Sequence, residues 1–197
     1  MPHTMVTQPA DAQGMRHDPM TIALHWITAM LVATLWVIGQ TVDVFPNGPL
    51  RIDYRSVHIM LGVALGAVLI ARLGWRLGRH ETLPPIDHGI LLAIARFTHW
   101  LLYALLIVAV ILGVANVWVR GDVILNLFQV PAYEPGDRAL VHLVGGWHAL
   151  AANAVLIVAG VHAAAALFHH YVLRDATLQR MLPATVIARS TATKQSR

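Results

Sequence analysis

Two histidines, His148 and His162, lie fourteen residues apart in a stretch from Ala139 to Leu173 that contains no Asp, Glu, Lys or Arg. Fourteen steps of ~100° bring a helical side chain back to within about 40° of its starting face, and fourteen rises of ~1.5 Å separate the two rings by roughly 21 Å. A strongly polar side chain is costly in hydrocarbon and is a functional candidate there. One helix is therefore expected to present two ligand groups on one face, one group in each leaflet.

The composition is that of a membrane protein. Of the 197 residues, 57% are hydrophobic and 12% are charged, and the mean hydropathy is +0.60. A helix needs ~20 apolar residues to cross a bilayer. Four segments meet that requirement: Met20–Gly39, Ser56–Gly78, Ile90–Trp118 and Ala139–Leu173. The sequence predicts an all-α, integral membrane four-helix bundle at residues 20–182, with polar tails at 1–19 and 183–197.

The distribution of basic residues predicts the orientation. With both termini in the cytoplasm, ten of the 14 Lys and Arg residues fall inside, and Arg51, Arg55, Arg120 and Arg138 fall outside. This topology, with contact to anionic lipid, accounts for the net charge of +4 and gives no reason to expect a nucleic-acid partner. Asp18 and Pro19 are a start signal for the first helix. We expect Asp43–Arg55 to be an outer loop and the apolar segment Val123–Val130 to lie at the outer interface.

Two further histidines, His25 and His58, are expected at the same depths as the two histidines of helix four. His25 lies near the inner start of helix one, level with His162, and His58 opens helix two on the outer side, level with His148. Each pair comes from two different helices and could bind one planar metal cofactor from both faces. Two imidazoles fill both axial positions of a haem iron, which makes an electron carrier. The chain has no cysteine, so thiolate-bound clusters and thioether-bound haem are excluded within it.

Other interpretations of these histidines stay open. A single intramembrane histidine is often a hydrogen-bonding residue between helices. Zinc or copper would lack carboxylate or thiolate support. His99, near the inner start of helix three, is expected to hydrogen-bond there or to replace an inner ligand. His169 and His170 close helix four and are either interfacial or bind a quinone carbonyl or a haem propionate. Arg72, Arg76 and Arg79 are mainly topology signals that could also pair with propionates.

Several stretches of the chain resemble the bacterial cytochrome b561 family. The likeness covers about Asp18 to Pro183. The matching stretches are His25-Trp26, Val57-His58-Ile59, Trp147-His148 with Ala151-Ala152-Asn153, Gly160 to Tyr171, and Arg174-Asp175 to Arg180-Met181.

The resemblance implies a multi-pass protein of the bacterial inner membrane with two non-covalent, bis-histidine b-type haems. Carried over by position, the axial ligands are His25, His58, His148 and His162. Members exchange electrons with quinone, and some resemble superoxide oxidases that pass an electron from superoxide to ubiquinone. Gly145 and Gly146 stand where a basic residue would favour that substrate, so the four outer arginines would supply the positive charge. His169 is the quinone candidate.

Two rival functions follow from other classes. The chain could be a membrane anchor and electron-entry cytochrome b subunit for a periplasmic redox partner. It could also be a proton or metal-ion transporter that uses the histidines as a relay, although its predicted spans contain no carboxylate and no broken helix.

Overall fold

The computed structural model describes residues 16–78, 86 and 88–182 of the chain. Most of the predicted N-terminal tail (1–19) and all of the predicted C-terminal tail (183–197) lie outside the described residues. Arg79 lies outside them too.

Four long helices make up the structure: α1 (Pro19–Thr41), α2 (Pro49–Gly78), α3 (Gly89–Arg120) and α4 (Arg138–Phe168). As predicted, α1 begins at Pro19 behind Asp18, whose carboxylate accepts a hydrogen bond of 3.0 Å from the Thr21 N–H. All four helices are long and apolar enough to cross a membrane. Large apolar side chains point outward from them; Ile70 and Ile90 are 76% and 74% exposed. Such a surface suits contact with lipid.

The prediction of an outer loop at Asp43–Arg55 is wrong for Pro49–Arg55, which are helical. Helix α2 begins at Pro49, seven residues before the predicted start at Ser56, after a short 3-10 turn at Val42–Val44. Proline suits a first helical position because its missing N–H has no partner there in any case. The turn residues that favoured a loop, Pro46 to Pro49, end where the helix begins, and the charged residues after them are tolerated because this first part of α2 extends past the apolar span. His58 therefore lies in the third turn of α2 and does not open it.

The connection between α3 and α4 forms a small β-hairpin, which the sequence analysis left without secondary structure. Strand β1 (Val123–Ile124) pairs antiparallel with β2 (Phe128–Gln129). Three residues connect the strands. The first two, Leu125 and Asn126, have φ of 52° and 56°, and the Leu127 N–H donates a 3.0 Å hydrogen bond to the Ile124 carbonyl, which makes a tight β-turn. The hydroxyl of the fully buried Ser56 accepts a 2.8 Å hydrogen bond from the Leu125 N–H. This bond fixes the hairpin against α2.

The helices pack α1 on α2 and α3 on α4, with smaller contacts between α2 and α3 and between α1 and α4. The buried core takes residues from all four helices: Leu35, Leu65, Leu69, Leu106 and Val155. Val155 lies seven residues from His148 and seven from His162, so this apolar layer separates two polar levels of the bundle. We call the level on the side of the β-hairpin the hairpin end and the opposite level, where residues 16–18 and 174–182 lie, the tail end.

The chain after α4 folds back beneath α1 at the tail end. A π-helical turn, His169–Leu173, ends at Arg174 with φ of 56°, and a 3-10 turn follows at Gln179–Met181. The Trp26 indole N–H donates a 2.8 Å hydrogen bond to the carbonyl of Met181. The segment after α4 is thereby tied to the helix that carries His25.

Candidate functional site

At the hairpin end, a pair of histidine rings faces a cavity between the helices. The ring centroids of His58 on α2 and His148 on α4 lie 6.2 Å apart, with 86° between the ring planes. A cavity of about 400 Å³ is lined by both rings and extends to Arg55, Arg120 and Asp122. The two rings that the sequence placed at one depth are therefore adjacent in the structure.

His148 is held in place through one of its two nitrogens. Its Nδ1 lies 3.0 Å from the backbone carbonyl of Ala109 on α3. A carbonyl oxygen can only accept, so Nδ1 carries the proton and Nε2 keeps its lone pair. Ligating histidines are commonly oriented in this way, with the other nitrogen donating to a carbonyl or a carboxylate. Gly113, one turn further along α3, leaves room for the ring, since a Cβ there would lie 3.1 Å from Cε1 of His148.

At the tail end, three histidine rings come together. The centroids of His25 on α1 and His162 on α4 are 6.4 Å apart, with 74° between the planes. His99 on α3 lies 5.1 Å from His162. The structure thus brings together the second predicted pair and adds His99 as a close neighbour of one member.

The distances within the two pairs fit an iron bound between two imidazoles. Two metal–nitrogen bonds of about 2 Å, with about 1.1 Å from each nitrogen to its ring centre, give a centroid separation of roughly 6 Å. The pairs lie at 6.2 and 6.4 Å, whereas the separation of 5.1 Å from His99 to His162 is short for one shared iron. Among the described residues no three His, Asp or Glu side chains are grouped to hold a metal ion by themselves. The residues present therefore fit a planar cofactor that supplies the other ligands.

The hairpin end carries two arginines that share one carboxylate. Asp122, which is 8% exposed, lies 3.1 Å from Arg55 and 3.4 Å from Arg120. The two guanidinium groups and one carboxylate leave a charge of about +1 beside a second opening, which is also lined by His142, Gly145 and Gly146. Of the other two predicted outer arginines, Arg51 pairs with Asp43, and Arg138 is the first residue of α4. Neither of those two lines the cavity.

Two further arginines lie at the tail end on α2. Arg72 approaches His25, with 3.1 Å between its terminal nitrogen and Nδ1 of the ring. Its guanidinium also lies 5.4 Å from the centre of the Tyr103 ring. Arg76 stacks in the same manner over Trp100, at 5.6 Å. These contacts place positive charge and aromatic rings around the tail-end pair.

His169, the sequence-predicted quinone residue, pairs with a carboxylate at the tail end. Its Nδ1 lies 2.5 Å from Asp175 Oδ2, and the Thr177 N–H donates to the other oxygen at 2.8 Å. Burial opposes ionisation of Asp175, but the hydrogen bonds from His169 and Thr177 outweigh it and lower the pKa of this carboxyl from its ordinary value. The His169 ring is thereby oriented, and its Nε2 stays available to another partner.

Sequence reasoning missed the two carboxylates of these sites. Asp122 follows the positive-φ Gly121 that ends α3, and Asp175 follows the positive-φ Arg174. Each is brought to its partner by a change in chain direction, which helical periodicity does not report. A polar contact between helices was also missed, in which Asn153 Oδ1 accepts hydrogen bonds from Trp36 (2.9 Å) and Gln40 (3.3 Å).

Comparisons with known proteins agree over most of the chain. A family profile described as prokaryotic cytochrome b561 matches residues 16–184. The protein named "Probable superoxide oxidase CybB" from Yersinia pestis is 30% identical over 174 residues, which cover 85% of this chain and 96% of that protein. Cytochrome b561 homolog 1 of Escherichia coli K12 is 30% identical over 172 residues, covering 85% and 97%. Cytochrome b562 of Cereibacter sphaeroides is 31% identical over 171 residues, covering 83% and 92%.

Proposed function

Because this chain belongs to the prokaryotic cytochrome b561 family, we propose that it is a di-haem cytochrome that takes electrons from superoxide and passes them to ubiquinone. The observation that carries the proposal is the pair of histidine–histidine separations, 6.2 Å at the hairpin end and 6.4 Å at the tail end. One site in each half of the bundle suits electron transfer across a membrane. Haem b held between such a pair of imidazoles would supply the one-electron chemistry at each site.

The proposed ligands are His58 and His148 at the hairpin end and His25 and His162 at the tail end. The protein's contribution is to hold these rings at a fixed separation while the core of Leu35, Leu65 and Val155 keeps water out of the space between the two levels. The bond from His148 to the Ala109 carbonyl fixes the tautomer that a ligand nitrogen needs. His99 is proposed as a neighbour of the tail-end site and not as a ligand of it.

The basic residues support an orientation in which the tail end faces the cytoplasm and the chain lies in a bacterial inner membrane. The hairpin end then faces the periplasm, and Arg55 and Arg120 lie at the mouth of its cavity. Their net positive charge with Asp122 attracts a small anion to the edge of the histidine pair. Superoxide is such an anion, and it becomes dioxygen on losing one electron.

Quinone is proposed to bind at the tail end beside His169. Reduction of one ubiquinone to ubiquinol takes two electrons, supplied by two superoxide ions, and two protons from the cytoplasmic side. His169, oriented by Asp175, can donate a hydrogen bond or a proton to a quinone carbonyl through Nε2. A ring whose Nδ1–H faces the carboxylate donates through Nε2 when both of its nitrogens carry a proton.

The experiment combines a haem count with rapid kinetics on the purified protein. Pyridine haemochrome analysis should give two haems per chain, one of which is lost in His148→Ala and the other in His162→Ala. His142→Ala, on the same helix but outside both pairs, is the matched control and should keep two. Two haems retained in both ligand variants would overturn the assignment.

Kinetics then tests the donor and the acceptor. Superoxide should reduce the haems within milliseconds, and a soluble quinone should reoxidise them. His169→Gln should slow only the second step, with His170→Gln as the control. A protein with two haems that is reduced solely by a co-purifying redox partner would instead be the anchor subunit for that partner.

A further inference from the structure

Arg72 is a cation in direct contact with one member of the tail-end histidine pair. Its guanidinium nitrogen lies 3.1 Å from Nδ1 of His25. Arginine only donates, so Nδ1 accepts in this contact. When Nε2 binds a metal, Nδ1 carries the proton and can no longer accept a hydrogen bond from Arg72. The guanidinium then acts on the ring through its charge alone. The stacking of the guanidinium on the buried Tyr103 ring, at 5.4 Å, keeps the charge near the pair.

Among the described residues, 16–78, 86 and 88–182, no carboxylate forms an ion pair with Arg72. Arg76, one turn later on α2, adds a second cation over Trp100 and Tyr103. Arg72 is half-buried, so its charge is less screened than that of an exposed cation, and its electric field acts on groups that are several ångströms away.

The hairpin-end pair has the opposite environment. The partner of His148 is the carbonyl of Ala109, whose negative end faces the ring and increases the electron donation of the imidazole. The cations nearest that level, Arg55 and Arg120, share the buried carboxylate of Asp122. The hairpin-end pair thus has an electron-rich neighbour and a half-neutralised charge nearby. The tail-end pair has a cation with no carboxylate partner among the described residues.

We propose that Arg72 sets the direction of electron flow by raising the reduction potential of the tail-end site above that of the hairpin-end site. An added electron makes an iron centre less positive, so a nearby fixed positive charge favours the reduced form. Electrons that enter at the hairpin end then run downhill to the tail end, and Arg72 is a positioning residue for that transfer. The inference rests on the proposed di-haem function.

The magnitude follows from Coulomb's law. A unit charge roughly 7 Å from the added electron, at an effective dielectric constant of about 20, changes the ratio of reduced to oxidised centre by on the order of tenfold or more. Removal of the charge should lower the ratio of reduced to oxidised tail-end haem, at a given solution potential, by that factor. The ratio for the hairpin-end haem should be nearly unchanged. The two potentials then approach one another.

The test is optical redox titration of the purified holoprotein and of Arg72→Gln. Arg72→Lys keeps the charge and should keep most of the separation between the two potentials. Arg96→Gln removes an exposed charge from the neighbouring helix α3 and should shift neither haem. Single-haem variants assign the steps: the protein with His148→Ala should report the tail-end haem, and the protein with His162→Ala the hairpin-end haem.

Each outcome decides the proposal. Two haems with unchanged potentials in Arg72→Gln, or a shift confined to the hairpin-end haem, would overturn it. If Arg72→Gln loses a haem, the single-haem proteins still decide, because the one with His148→Ala should titrate at the higher potential and the reverse order refutes the inference. A protein with fewer than two haems before any substitution would instead contradict the proposed function.

Discussion

Gly113→Ala should weaken the hairpin-end haem site through a single methyl group. A Cβ at position 113 would lie 3.1 Å from Cε1 and 3.5 Å from Nδ1 of His148. Ordinary carbon–carbon contacts are about 3.5–4.0 Å, so the ring must move by about half an ångström. The ring cannot move freely, because its Nδ1 is hydrogen-bonded at 3.0 Å to the carbonyl of Ala109, which lies on α3 with Gly113.

The expected loss follows from that constraint. A displaced ring lengthens the bond to Ala109 and tilts Nε2 away from its position opposite His58. Disturbance of a partner that orients a metal ligand typically costs 10–100-fold in metal affinity. We therefore expect Gly113→Ala to lower the affinity of the hairpin-end site for haem by about tenfold or more, with the tail-end site unchanged. Haem titration of the apoprotein, followed by visible spectroscopy, measures both sites.

Two other glycines serve as controls. A Cβ at Gly39 would lie 3.4 Å from Cε1 of His58, an ordinary contact, and a Cβ at Gly74 would meet nothing within 4 Å. Gly39→Ala should therefore have a small effect on haem affinity. Gly74→Ala should have none and should stabilise α2 by up to about 1 kcal/mol. Wild-type haem affinity and spectrum in Gly113→Ala would show that the space beside His148 does not matter, and the reasoning would fail.

Two further predictions concern parts that support the sites. Ser56→Ala removes the acceptor of the Leu125 N–H and should lower the free energy of unfolding by about 1–3 kcal/mol. Thermal unfolding measures this loss, and hydrogen exchange at the Leu125 amide should become faster. An unchanged exchange rate would contradict the prediction. Asp175, with its lowered pKa, favours the folded tail end while ionised. This contribution is full above the ordinary pKa of 3.8 and is lost as the pH falls below it, as the folded carboxyl takes up its proton. Proteolysis of the segment after α4 should be faster in Asp175→Asn than in wild type at about pH 6, and this difference should shrink as the pH falls below about 3.8.

The helices and the histidine levels were accessible from the sequence because both depend on local geometry. Four apolar segments predicted four spans, and Asp18 with Pro19 predicted the start of α1. The fourteen-residue spacing of His148 and His162 follows from the helical repeat alone. The resemblance to the cytochrome b561 family is confirmed by the matched profile and the relatives. The predicted start of α2 was wrong, because the turn residues Pro46 to Pro49 favour a loop, whereas Pro49 is also a suitable first residue of a helix.

The depth of each residue along its helix follows from the sequence alone, since the backbone fixes the rise and the rotation per residue. The contacts between side chains far apart in the chain, or on either side of a chain reversal, depend on the tertiary structure. They are Arg72 with His25, Asp122 with Arg55, and Asp175 with His169. Those contacts depend on how each helix is rotated and on how the chain reverses at the β-hairpin and at Arg174. Helix rotation and chain reversal are set by packing between segments far apart in the chain, so no local pattern specifies them.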